Sequence, residues 1–152
     1  MTPAYLRSAF AYDTTINRRL LASLRALPVM DERTQAVFAH LLAARAVWME
    51  RLQHDGRSTT PVWPTLDWDA CETMIADNDQ AYAAYLADVS MAELEAPFTY
   101  YNSKGRGFTN RRLDVLMHVL IHGGYHRGQV AQSVRLAGYE PINTDYIFYL
   151  RE

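Results

Sequence analysis

Apolar residues recur at helical spacing in four stretches of this chain, and little inside those stretches interrupts the pattern. The first runs from about Pro3 to Leu27, with Leu6, Phe10, Ile16, Leu20, Leu24 and Leu27 in register. Its proline stands in the first turn, where a missing N–H is no loss, and Pro28 closes it. The second opens at Asp31, an N-cap residue type, and continues to about Gln53, where His54-Asp55-Gly56 stops it. The third is capped by Asp67 and reaches about Val89, and the fourth spans about Asn110 to Ala137 before Gly138. Residues 55–66, with Pro61, Pro64 and a Ser-Thr-Thr run, read as a connection longer than most helix–helix loops. Phe98 to Asn102 is rich in β-formers, Ser103 to Gly107 has turn chemistry, and Phe108-Thr109 returns, which predicts a hairpin. The apolar ending, Tyr146-Ile147-Phe148-Tyr149-Leu150, is expected to pack on the bundle or on a second subunit.

The pattern therefore predicts an all-α, four-helix-bundle protein with a short β-hairpin inserted before the last helix. At 152 residues and 49% hydrophobic content the chain suits one domain, 1–152, with a core that needs no disulfide. Charge narrows the partners: 15 Lys and Arg against 17 Asp and Glu leave a formal charge of −2, without the basic excess of a phosphate-tracking surface. No nucleic-acid partner is expected. Cys71, the only cysteine, excludes an intramolecular disulfide and a multi-cysteine metal site. Any metal must then be held by His, Asp or Glu. The opening MTPAYLRSAFAYDTT has no apolar signal segment and no run approaches the length of a membrane span, so a cytoplasmic location without membrane association is expected.

The candidate chemistry lies in the fourth helix. His118, His122 and His126 recur every fourth residue and share one face. Neighbours at that spacing have Cβ atoms about 5–6 Å apart, close enough for two imidazoles to bind one metal. His118 and His126, about 12 Å apart along the axis at 1.5 Å per residue, cannot both join that pair. A third ligand must come from another helix. His40 lies beside the apolar stripe Val37, Leu41, Ala44, Trp48 and Leu52 of the second helix, whereas His54 falls on its far side at the end. His40 is thus the better candidate, giving a His40/His122/His126 site with open positions, the arrangement of catalytic rather than closed structural metal sites; the alternative is a set of core histidines satisfied by hydrogen bonds. The fourth helix is apolar nearly all round, which predicts burial and demands partners for its histidines. Gly123, Gly124 and Gly128 together forgo roughly 3 kcal/mol of helix propensity, so close approach of another helix or room for a pocket is expected there. The residue after His122 is Gly123, so the HExxH metalloprotease base is lacking.

His122-Gly123-Gly124-Tyr125-His126-Arg127-Gly128-Gln129 resembles the H-x-x-x-H-R-G-Q signature of the DinB-like (damage-inducible, YfiT-like) metalloprotein family. The resemblance covers nearly the whole chain. Tyr12-Asp13 with Asn17 to Leu21 is similar to the family's first helix, and His40 to Ala44 with Trp48 and Arg51-Leu52 to its second. Tyr100 to Phe108 is similar to its hairpin and Asn143 to Leu150 to its C-terminal ending. The resemblance implies a dimeric bundle that holds Ni2+ or Zn2+ through three histidines, here His40, His122 and His126. It also implies, for some relatives, thiol S-transferase or isomerase activity with a low-molecular-weight thiol such as bacillithiol or mycothiol.

Roles around the trio stay open at this stage. Each ligand needs its second ring nitrogen oriented, and Asp13 and Glu50 are either orienters or solvated charges. His118 is either a helper to the metal site or a core histidine bonded to backbone. Arg127 points inward and is expected to pair a carboxylate from another helix or subunit. Arg45, on the apolar side of the second helix, either meets an anionic substrate or snorkels. Tyr101, Asn102 and Tyr125 either line a pocket mouth or simply pack, and Cys71 has no neighbour to activate it. The expected function is a metal-dependent enzyme, a thiol S-transferase acting on small electrophiles. The alternatives are a metal-dependent hydrolase and a non-catalytic metal-binding stress or interaction protein.

Overall fold

In the computed structural model, which describes residues 1–151, the chain order is α1 (Pro3–Arg25), α2 (Glu32–Gln53), α3 (Trp68–Asp88), α4 (Met91–Glu95), β1 (Pro97–Tyr101), β2 (Gly107–Arg111), α5 (Arg112–Leu136) and α6 (Tyr146–Tyr149). Three of the four long helices begin at side-chain caps: Thr2 accepts from the Tyr5 amide, Asp31 from Thr34 and Asp67 from Ala70; α5 follows directly on β2 without one. Each cap satisfies one of the amide groups that a first helical turn leaves unpaired. Helix α1 packs against α3 and α5, and α2 packs against the same two, so α1 and α2 face each other across the bundle's diagonal. The hairpin is antiparallel, with Thr99 opposite Thr109, and it immediately precedes α5. Asn110 and Arg111 belong to its ladder, opposite Phe98 and Pro97, and so the last long helix starts two residues later than its apolar pattern suggests. Among the described residues no helix is long and apolar enough to cross a membrane.

Two short helices go beyond the sequence pattern. Helix α4 is a single turn held by a reciprocal cap, in which Ser90 accepts from the Glu93 amide and Glu93 accepts from the Ser90 amide. Helix α6 divides the apolar ending: Tyr146 and Tyr149 lay ring edges on Tyr12 of α1 at 4.9 and 5.4 Å, while Ile147, Phe148 and Leu150 stay exposed.

The core has two apolar ends and a polar middle. One end gathers Leu6, Phe10, Leu52, Leu86 and Leu116; the other gathers Leu20, Phe38, Ile75, Val130 and Val134. Between them lie the buried Asp13, Asn17, Arg45, Asn78 and Arg127. Asp13 faces both arginines, with Arg45 Nη1 at 2.8 Å from Oδ2 and Arg127 Nη1 on Oδ1. Arg127 also donates to Asn17 Oδ1 at 3.1 Å, and Asn78 donates to the Leu42 carbonyl at 3.0 Å. Gly123 belongs to this layer, because a Cβ there would stand 3.0 Å from Asp13 Oδ1 and 3.2 Å from Arg127 Nη1. That explains one of the three glycines of α5. Gly124 and Gly128 lie on an exposed side with Ile121 and Tyr125, so α5 is not buried all round as its composition suggested.

The turn after α2 is fastened to the hairpin at Gly56. It has φ +77°, its carbonyl accepts from the Tyr101 amide at 2.9 Å, and an added Cβ would come within 2.3 Å of the Thr99 carbonyl oxygen. Gly56→Ala is expected to destabilise the fold by more than about 1 kcal/mol, through both the left-handed backbone and the clash. Urea unfolding followed by circular dichroism reads this directly; a midpoint equal to wild type would contradict so tight a junction.

Candidate metal centre

Helices α2 and α5 run antiparallel, which sets His40 opposite His122 and His126, and Trp48 opposite His118. The inward aim of Gly123 and Arg127 toward Asp13 fixes how α5 is rotated about its axis. His122 and His126, each one residue earlier, are thereby turned about 100° toward α2. The outcome is a cluster in which one ligand atom from each of His40, His122 and His126 lies within 4.8 Å of the others. His122 Nε2 and His126 Nε2 are 3.1 Å apart. Two ligands of a tetrahedral ion at 2.0–2.1 Å bond lengths stand about 3.3 Å apart, so this separation suits a shared metal.

Two of the three remaining ring nitrogens, those of His40 and His126, are tied down. His40 Nδ1 donates to the Val62 carbonyl at 2.6 Å, and His126 Nδ1 donates to Gln129 Oε1 at 2.8 Å. Both bonds fix the tautomer with the Nε2 lone pair free, as a metal ligand requires. Trp63 stacks flat on the His40 ring, with centroids 3.8 Å apart and planes 7° from parallel, and covers the cluster from the connecting loop. His40 and His126 are buried and His122 is half-buried. Burial, then the neighbouring His126, His40 and His118, push the His122 pKa down to about 4, and burial also lowers that of His40. Three imidazoles whose ring nitrogens converge form a donor set for a divalent cation.

The orienting groups are other than Asp13 and Glu50. Asp13 is committed to the two core arginines. Glu50 acts at a distance: its carboxylate accepts from the Ser58 and Thr60 hydroxyls and from the Thr59 and Thr60 amides, between 2.6 and 3.2 Å. Burial raises its pKa, but those four bonds outweigh burial and hold the carboxyl down to about 2. Glu50 thereby fixes the loop that delivers Val62 and Trp63 to His40. No local periodicity marks that role. Gln129, by contrast, stands three residues after His126 within the motif, a spacing that brings side chains together on a helix.

Other sequence-selected residues lie outside the cluster. Arg45 is 1% exposed, paired with Asp13 and set over the Phe10 and Tyr82 rings at 5.8 and 5.1 Å, so it faces the core and not a substrate. His118 is exposed rather than in the core, with its ring against Trp48 at 5.2 Å. Arg127 pairs with a carboxylate from another helix. Tyr125 is exposed and lays its ring edge on His126 at 5.1 Å. Tyr101 and Asn102 line a cavity beyond Val62. Cys71 is buried, and burial pushes its thiol up to about 11.

The histidine shifts carry a pH consequence. Unfolding returns His122 to its ordinary value of 6.5, so below that pH the unfolded chain binds a proton that the folded chain refuses down to about 4. Stability is therefore complete above pH 6.5 and is lost as pH falls toward 4. Thermal melts of metal-free protein should show the melting temperature falling across that window, and a flat profile would mean that the cluster is already hydrated and protonated.

Comparison with known proteins places this geometry in context. Residues 32–152 match the sequence profile of the DinB family. Protein DinB of Bacillus subtilis (strain 168) is 36% identical over 58 residues, which are 38% of this chain and 34% of that protein. The match thus spans about a third of that relative's length. The crystal structure of a DinB-like protein from Bacillus cereus ATCC 10987 superposes with a TM-score of 0.60 over 91% of this chain and 94% of that one, at 16% identity. That likeness carries the fold alone: mostly helical, with the hairpin before the last long helix.

Proposed function

The chain belongs to the DinB family, and from that premise we propose that it is a metal-dependent thiol S-transferase acting on small electrophiles, with Ni2+ or Zn2+ held by His40, His122 and His126. The observation that carries this reading is the convergence of three imidazoles with no fourth protein ligand among the described residues. Three ligands leave room for an exogenous one. A divalent ion bound there would deprotonate a thiol near neutral pH and supply it as a nucleophile. The chain's own residues do the rest. Val62 and Gln129 fix the rings of His40 and His126, Glu50 holds the loop, and Trp63 shields one side from water. A homodimer belongs to the same reading, supported by the exposed Ile121 and Tyr125 of α5 and Ile147, Phe148 and Leu150 of the C-terminal turn.

Cobalt-substituted protein tests this reading. Adding a low-molecular-weight thiol should produce a sulfur-to-metal charge-transfer band, and the loaded protein should consume a small electrophile only in the presence of thiol. Metal-loaded protein that binds no thiol and turns over neither electrophiles nor small esters would overturn the enzymatic reading. A large loss of thermal stability on chelation, without turnover, would favour the non-catalytic role.

A further inference from the structure

On the side of Val62 away from α5 lies a cavity of about 370 Å³, between the end of α2, the loop after it and the tip of the hairpin. Its walls include Val47, Arg51, Arg57, Val62, Tyr101 and Asn102, and no carboxylate. Elsewhere Arg18, Arg25, Arg45, Arg111 and Arg127 each pair with an acidic side chain. Among the described residues Arg51 and Arg57 have no such partner, and the buried Arg51 Nε makes no hydrogen bond. The Glu50 carboxylate is consumed by the loop amides and hydroxyls.

Both guanidinium groups are held in place by stacking rather than by ion pairing. Arg51 lies over Trp48 at 4.6 Å and Tyr100 at 5.9 Å, and Arg57 lies over Tyr101 at 4.3 Å. Stacking engages the faces of the guanidinium and leaves its N–H edges free for an oxyanion. Asn102 adds a donor, because its carbonyl oxygen accepts from the Lys104 and Arg106 amides and its NH2 remains. Burial presses the Arg51 pKa down and outweighs the opposing influence of Tyr100, and an incoming anion would relieve that environment.

We infer that this cavity is an oxyanion subsite of the metal centre, in which Arg51 and Arg57 grip a carboxylate or phosphate at one end of an elongated small molecule. Val62 adjoins both places, since it lines the cavity and its carbonyl holds His40. His40 and Arg51 are separated by about 16 Å along α2 at 1.5 Å per residue, which the reach of the arginine shortens. The ligand therefore spans on the order of 10 Å from its anionic end to its reacting group. This rests on the proposed thiol transfer for what happens at that far end, but the anion grip does not need the metal.

Calorimetric titration with succinate and with inorganic phosphate, on metal-free and metal-loaded wild type, Arg51→Gln and Arg57→Gln, tests the subsite. Saturable binding of either probe to metal-free wild type is expected, weakened about tenfold or more in each variant. Metal content and fold, read by mass spectrometry and circular dichroism, should be unchanged in the variants. Succinate alone binding assigns a carboxylate, and phosphate alone assigns a phosphate. Wild type that binds neither probe, or variants that bind as wild type does, would overturn the inference. Oxyanion binding by a protein that takes up no metal would instead leave the subsite standing and remove the proposed function.

Discussion

Replacing Asp13 with Asn is expected to destabilise the protein by about 3–5 kcal/mol, because it leaves two buried guanidinium groups without a counter-charge. The substitution keeps the side chain's shape, so packing loss contributes little. Asp13 is fully buried, Arg45 is 1% exposed and Arg127 is 2% exposed, and water cannot screen what the carboxylate no longer neutralises. The triad already carries an excess positive charge, with Arg45 partly compensated by the Phe10 and Tyr82 ring faces. Set against a typical total of about 5–15 kcal/mol, the loss removes much of the fold's margin. Chemical denaturation would measure it. A combined Asp13→Leu, Arg45→Met, Arg127→Leu variant should recover stability, since an apolar layer of similar volume carries no unpaired charge. A cost below about 1 kcal/mol for Asp13→Asn would show that the layer is hydrated. The single variant should also blur the histidine cluster, because the Asp13–Arg127 contact sets the rotation of α5 and hence the aim of His122 and His126.

Metal saturation is expected to raise the melting temperature by about 10 °C, and His122→Ala to abolish that increment together with bound metal. The magnitude follows from mass action: at a thousand times its dissociation constant a ligand adds about 4 kcal/mol, and a domain of this size gains about 2–4 °C per kcal/mol. His122 is the informative position. It is the half-buried member of the trio, so truncating it disturbs the core least while removing one of three donors. Metal content by mass spectrometry and thermal melts with and without Zn2+ check both parts. One equivalent of metal retained in His122→Ala would mean that the ion is held elsewhere.

Much of this was legible in the chain itself. Apolar residues at helical spacing, with Asp31 and Asp67 ahead of two of the stretches, specify the helices, because an amphipathic stripe and an end cap are local properties of a helix. The β-forming run followed by Ser103 to Gly107 specifies the hairpin in the same way. The placement of His122 and His126 on one face follows from the helix repeat alone, and the inward side of His40 follows from its neighbours along α2. What spacing could not give is which distant segments meet. Asp13 is 32 positions from Arg45 and 114 from Arg127, and nothing local distinguishes it from a solvated acid. Glu50 reads as a surface charge until the loop folds back and places four donors on it. Trp63 and Val62 read as loop residues until that loop lies over His40. Local sequence determines which face of each helix is apolar and which carries the histidines; the packing of four helices and one loop decides which charges are buried together and which lone pairs converge.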